Sequence, residues 1–127
     1  MRLLVLLLTA VLPLLAVADD VLRYDPAVVQ VSGRIAKGKH QHPNGTWFDV
    51  LILKLATPAS IKSDGEKDSF NVDEKNVTEL QVYSPDAALL KNMGALNGKD
   101  VTLKGTLFHA HTAWHVRDLI LMVAAIK

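Results

Sequence analysis

The amino-acid sequence predicts a small, mostly β protein with one helix, and three features of its 127 residues indicate this. Apolar and polar residues alternate with a period of two over several segments, which is typical of strands with one buried face. Residues 87–96 change to helical spacing instead. Glycines at positions 33 and 105 fall inside two of the strand-like segments, where sharply coiled strands need a residue without a side chain.

The first half of the chain contains two predicted strands joined by a turn. Residues 27–39 alternate regularly and form the first strand, and residues 47–56 form the second. Between them, the Pro-Asn-Gly sequence at positions 43–45 is a turn signal. The centre of the second strand, residues 50–53, is continuously apolar, which indicates that both of its faces are covered.

The middle of the chain predicts a loop, a short strand and the helix. Residues 60–76 are polar and predict a long loop, and residues 78–84 form the third strand. Pro85 and Asp86 are a helix start signal. The helix that follows ends at an Asn-Gly pair, at positions 97 and 98.

Two further strands, at residues 100–110 and 115–126, complete the chain. The resulting order of strand, strand, strand, helix, strand, strand is that of the OB-fold, a five-stranded, partly open Greek-key barrel. A two-layer α+β sheet with the same elements is the alternative. The glycines in the first and fourth strands favour the barrel, because barrel strands must coil sharply.

The pairing of the last two strands follows from the requirement that their apolar residues share one face. A loop at residues 112–114 would pair Leu107 with Leu119 and Leu103 with Val123, whereas a one-residue slip would turn the apolar set toward solvent. This register places four polar side chains on the core-facing side, at the mouth of the barrel: His109, His111, His115 and Arg117.

The first 18 residues have the pattern of a secretory signal peptide. Met1 and Arg2 form a short positive region, residues 3–15 are almost wholly apolar, and the Ala-Val-Ala sequence at 16–18 fits a cleavage site. The apolar stretch is shorter than the roughly 20 residues that a membrane-spanning helix needs. We therefore expect a single domain over residues 19–127, exported by a bacterium to the periplasm or secreted, with no membrane span after cleavage.

Charge and cysteine content argue against several functional classes. The formal charge is +1, and the loss of Arg2 with the leader removes it, whereas binding to nucleic acid through charge needs a surplus of basic residues. The absence of cysteine excludes a disulfide scaffold and a thiol nucleophile. The sequence also lacks the Gly-x-Ser-x-Gly pattern of a nucleophile elbow. We therefore expect a protein that is not an enzyme and does not bind nucleic acid.

All five histidines and both tryptophans fall in two groups. The groups are His40, His42 and Trp47 around the first turn, and His109, His111, Trp114 and His115 in the last hairpin. In an OB-fold the two loops that carry these groups lie beside the ligand-binding face. We therefore expect two segments that are remote in sequence to converge on one site.

Three interpretations of this site compete. An envelope glycan, peptide or protein could bind at the barrel mouth through Trp47, His109, His111, Trp114, His115 and Arg117, because Trp and His offer flat apolar faces with polar edges. Alternatively, three imidazoles suit zinc, copper or nickel, which would make this a periplasmic metal-binding protein with the ligands His109, His111 and His115. In the third interpretation the same side chains close the end of the barrel in a structural domain without a small ligand.

The segment Gly-Thr-Leu-Phe-His-Ala-His-Thr at positions 105–112, followed by His115, resembles the C-terminal block of an uncharacterised family of small exported bacterial proteins, defined only as a domain of unknown function. The stretch at 24–29 and the Val-x-Gly at 31–33 are similar to the start of that family. Members of the family are sometimes found with modules that resemble lysozyme inhibitors. The resemblance therefore implies a role in the cell envelope and carries over no catalytic residue.

Overall fold

The computed structural model describes residues 20–65 and 70–127, so the predicted signal peptide at 1–18 lies outside the described residues. It contains six strands and one helix. In chain order these are β1 (Asp20–Arg23), β2 (Val29–Gln41), β3 (Trp47–Lys62), β4 (Glu74–Tyr83), α1 (Ala87–Ala95), β5 (Asp100–His109) and β6 (Leu119–Ile126).

Five of the strands close into a barrel. The sheet order is β1-β3-β2-β5-β6-β4, and a further pairing of β3 with β4 closes the ring. All ring pairings are antiparallel except that of β4 with β6, and the short β1 adds to β3 outside the ring in a parallel orientation. With α1 lying in sequence between the third and fourth ring strands, this is the predicted OB-like arrangement, and the α+β alternative is wrong.

The barrel can close because two glycines allow neighbouring strands to approach. A Cβ atom on Gly33 would overlap the backbone carbonyl of Lys54, and one on Gly105 would overlap the carbonyl of Met122. The pairing of β5 with β6 also shifts register between Lys104 and Gly105, which is a bulge at the same point. These two glycines are the ones that the sequence indicates as barrel positions.

The inner faces of the ring strands form one apolar core. Its fully buried side chains include Ile35, Leu53, Leu80, Leu103, Leu107 and Leu121. Helix α1 packs Met93 into the same cluster, so it covers one end of the barrel. Its start is capped by Asp86, whose carboxylate accepts from the backbone N–H groups of Ala88 and Leu89 at 3.0 and 3.2 Å. None of the helices in the described part of the chain is long and apolar enough to cross a bilayer.

A second apolar layer covers the outer wall of the barrel. Val50, Ile52 and Ile120 are buried, yet they alternate with core residues and do not belong to the inner cluster. Phe108 lies on the same outer face, next to Ile120 in the register of β5 and β6. The prediction that both faces of residues 50–53 are covered is therefore confirmed. We call Val50, Ile52, Phe108 and Ile120 the outer-wall patch.

The predicted register of the last hairpin is wrong by two residues up to the bulge, and by three beyond it, where Leu103 pairs with Ile126 in place of Val123. Leu107 pairs with Leu121 and His109 with Leu119, so the connection between the strands is a loop at residues 110–118. The apolar faces remain correct, because a shift of two residues preserves the alternation. The strand β1 at Asp20–Arg23 was not predicted, and β4 begins at Glu74, inside the segment that we expected to be a loop.

The substitution Gly105→Ala tests whether the barrel depends on the close approach of β5 and β6 at Gly105. We expect Gly105→Ala to lower the free energy of unfolding by about 1–3 kcal/mol, because the added Cβ displaces the β6 backbone. Urea denaturation measures this. The matched control is Gly38→Ala, whose Cβ meets no atom within 4 Å. An equal loss of stability in both variants would contradict the explanation from packing.

Candidate functional site

The loop at residues 110–118 is fastened to the outer wall of the barrel by one side chain of β4. The carboxamide of Gln81 donates from Nε2 to the carbonyl of Trp114 at 3.1 Å and accepts at Oε1 from the N–H of Val116 at 2.7 Å. Gln81 is 8% exposed, so both bonds form in a largely desolvated place. A buried side-chain amide thus pairs with the loop backbone much as a neighbouring strand would.

A histidine organises the interior of the same loop. The Nδ1 atom of His115 accepts from the backbone N–H groups of His111 and Thr112 at 3.0 and 3.2 Å. An imidazole that accepts at Nδ1 is neutral and carries its proton on Nε2. The pKa of His115 is lowered below 6.5, mainly because the ring is partly buried and to a smaller extent because His111 lies beside it. The geometry and the pKa shift both favour the neutral ring.

Aromatic contacts join the 110–118 loop to the turn between β2 and β3. The ring of Trp114 lies 4.1 Å from that of His42 and 4.9 Å, edge to face, from that of Phe48. The rings of His111 and His115 pack against Phe108 at centroid distances of 5.6 and 5.5 Å. The two segments that carry the histidines therefore meet.

A groove with a volume of about 710 Å³ lies between this loop and the outer wall. Val50, Phe108 and Ile120 of the outer-wall patch line it, together with Phe48 at the end near the turn. The loop contributes His111, Trp114 and His115, while Tyr83, Leu90 and Met122 line the remaining side. The volume falls within the range of about 300–1,000 Å³ that is usual for ligand sites. We refer to this space as the groove.

Several polar groups around the groove are already engaged by the protein itself. Both ends of the Gln81 carboxamide bind the loop backbone, and His111 Nδ1 donates to the carbonyl of His109 at 3.2 Å. The one carboxylate in the lining, Asp49, lies 3.6 Å from Lys37 Nζ. The groove therefore presents an apolar surface with little unbalanced charge.

The structure places the predicted site residues in more than one location. His111, Trp114 and His115 line the groove. Trp47 is 64% exposed and is not part of the groove lining.

His109 and Arg117 lie beside carboxylates of β4, outside the groove lining. His109 donates from Nδ1 to the carbonyl of Ala110 at 3.1 Å, and its Nε2 lies 3.6 Å from Glu74. Arg117 donates to Glu79 at 2.8 Å, so its charge already has a partner.

The expectation that the three histidines and Arg117 share the core-facing side is wrong, because only His109, two residues after Leu107 in β5, stays on that side. The strands end at His109 and resume at Leu119, so His111, His115 and Arg117 lie in a loop rather than on strands. The alternation of faces does not extend through a loop. The rings of His111 and His115 contact Phe108 on the outer face.

The three histidines do not form a metal-binding geometry. Among the residues that the structure describes, no group of three His, Asp or Glu side chains is arranged to hold a metal ion. Two backbone N–H groups occupy the Nδ1 of His115, and the Nδ1 atoms of His109 and His111 face backbone carbonyls. The Nδ1 atoms of all three imidazoles bind backbone groups instead.

The residues that build the groove were largely missed by sequence reasoning. Gln81 reads as an ordinary polar residue on the outer face of a strand, yet it is the main attachment of the loop. A signal was present in the uninterrupted apolar runs at 50–53 and 119–123, which lie in separate strands. Two strands with both faces apolar indicate an outer layer that some other segment must cover.

The C-terminal part of the chain matches a known family. Residues 79–127 match the family described as "Domain of unknown function (DUF4431)". The match covers the last part of β4, the helix, β5, β6 and the whole 110–118 loop, and it confirms the likeness to an uncharacterised family. Among curated proteins, no sequence matches the chain.

Replacing Gln81 tests its role in holding the loop. We expect Gln81→Leu to destabilise the closed loop by about 1–3 kcal/mol, because the N–H of Val116 and the carbonyl of Trp114 lose their partner. Hydrogen exchange of the amides at 110–118 should accelerate while that of the barrel strands stays unchanged. Gln30→Leu, at an exposed position of β2, is the control. If the amides at 110–118 exchange at the wild-type rate in Gln81→Leu, the aromatic contacts alone are sufficient to hold the loop.

Proposed function

We propose that this protein is a non-catalytic binding domain of the bacterial cell envelope that holds an extended, apolar peptide segment of a partner protein in the groove. The observation that carries the proposal is a groove of about 710 Å³ with a mostly apolar lining, in which the carboxamide of Gln81 and the carboxylate of Asp49 already have partners within the protein. The site therefore lies on the outer wall beside the two loops, instead of at the barrel mouth as the sequence suggested.

The character of the lining favours an apolar ligand over a glycan. A sugar needs several hydrogen-bond partners that it can reach, and a buried polar group of a ligand without a partner lowers affinity. Both hydrogen-bonding groups of the Gln81 carboxamide bind the 110–118 loop, and the guanidinium of Arg117 is paired with Glu79. Apolar side chains of a peptide match the exposed rings of Tyr83 and Trp114 better.

A strand edge beside the groove favours an extended backbone. The pairing of β3 with β4 begins at Leu51 and Val82, so residues 47–50 pair with β2 alone among the strands described. Phe48 and Val50 on this edge also line the groove. An added strand could bind the open N–H and C=O groups while its alternate side chains enter the groove, which is a common mode of peptide recognition.

The envelope location rests on the predicted signal peptide and on the resemblance of the histidine-rich block. We expect the mature protein to begin at Asp19 after cleavage behind Ala18, because residues 16–18 fit the pattern that signal peptidase recognises. Expression of the full-length chain in a bacterium, cell fractionation and intact-mass measurement test this. A cytoplasmic protein that retains Met1 would contradict export, and a control with Ala18→Pro should block cleavage.

Selection from a peptide library tests the ligand class. We expect random dodecapeptides retained by the protein to carry apolar residues at alternate positions. The substitution Met122→Lys should weaken binding of the selected peptides by about tenfold or more, because it places a charge in the apolar groove. Fluorescence anisotropy of a selected, labelled peptide measures the affinity.

The matched control for that experiment is Ala124→Lys. Ala124 is an exposed residue of the same strand, and it lies outside the groove lining. Equal binding by both variants would contradict the groove as the site. Retention of N-acetylhexosamine oligosaccharides in place of peptides, with the same sensitivity to Met122→Lys, would overturn the ligand class.

A further inference from the structure

We propose that the 110–118 loop is a proton-controlled lid of the groove, closed while His115 is neutral and released when His115 takes up a proton. This inference concerns the regulation of the site under the proposed function and rests on it. It is based on the hydrogen bonds inside the loop, because His115 can accept them only while its ring is neutral.

The neutral ring acts as an acceptor for two backbone donors at once. The N–H groups of His111 and Thr112 both point at His115 Nδ1, at 3.0 and 3.2 Å. A protonated imidazole is a donor at both nitrogens, so it cannot accept either bond. Protonation would therefore place the new Nδ1–H of His115 against the N–H groups of His111 and Thr112, and the turn between residues 111 and 115 would lose both hydrogen bonds.

The surroundings of His115 add to this sensitivity. Its ring packs on Phe108 and lies 5.0 Å from the ring of His111. Burial and His111 hold the pKa of His115 below its ordinary 6.5. Because the folded loop disfavours the proton, the stabilising effect of the neutral ring is present above pH 6.5 and is lost as the pH falls through the lowered pKa.

The charged groups on the neighbouring elements do not offset the new charge. Facing the loop are His42 from the turn after β2, Asp49 from β3, and Glu79 and Tyr83 from β4. Asp49 is paired with Lys37 and Glu79 with Arg117, so each carboxylate already has a cation beside it. Protonation of His115 therefore favours release of the loop.

Release of the loop would remove one wall of the groove. Trp114 and His115 belong both to the loop and to the groove lining, so a peptide held by the closed loop loses contacts when the loop opens. If only the closed state binds, the affinity for an apolar peptide should fall as the pH drops below 6.5, by at most about tenfold for each pH unit. The device would let a partner bind at neutral pH and leave in acid.

The test reads the loop itself and needs no ligand. In a Trp47→Phe background, Trp114 is the one remaining tryptophan. Its quenching by acrylamide is measured from about pH 8 to about pH 4.5, the range in which histidines titrate. We expect the accessibility of Trp114 to rise in a single-proton transition with a midpoint below 6.5. Far-UV circular dichroism over the same range should show that the barrel stays folded.

Two variants decide which histidine is responsible. His115→Asn keeps an acceptor oxygen near the place of Nδ1 at every pH, so it should close the loop permanently and abolish the transition. His42→Asn removes the imidazole that stacks on Trp114 and should leave the transition in place. A transition that persists in His115→Asn, disappears in His42→Asn, or coincides with unfolding of the barrel would overturn the proposal. The fluorescence test uses no peptide, so its outcome does not depend on whether the peptide selection succeeds.

Discussion

The candidate site depends on the pair of hydrogen bonds that the Gln81 carboxamide makes to the backbone of the 110–118 loop. The loop contains no strand or helix, so its backbone groups need partners from elsewhere if it is to lie against an apolar surface. Gln81 supplies a donor and an acceptor together, and it does so from the wall of the barrel. This fixes Trp114 where it can meet His42 and Phe48, which in turn bounds the groove.

Two levels of structure with different stabilities follow from this arrangement. The barrel is held by a closed ring of strand pairings around a core in which Ile35, Leu53 and Leu107 are wholly buried. The loop is held by side-chain hydrogen bonds and by contacts with rings that remain partly exposed, such as Trp114. Segments of the second kind open locally at a free energy far below that of global unfolding. The site therefore has a stable wall and a wall that can move.

The sequence predicts the barrel well because its signals are local. Alternation identifies strand faces, and Gly33 and Gly105 reveal the coiling of the strands that contain them. Alternation determines only whether a register is odd or even, so it could not distinguish the pairing of Leu107 with Leu119 from the actual pairing with Leu121. The positions of His111 and His115 depend on a loop conformation that backbone hydrogen bonds determine. Nothing in the identity of Gln81 distinguishes it from an exposed strand glutamine.

The alternation along β3 separates the constraints on neighbouring residues. Leu51 and Leu53 fill a narrow barrel interior that has no room for a ligand, while Val50 and Ile52 belong to the outer layer. Under the proposed function, core packing and peptide recognition would depend mainly on alternate positions of this strand. Mutations at the outward Val50, which lines the groove, would then change what the protein binds without disturbing the core, so this scaffold could acquire new specificities while its barrel stays the same.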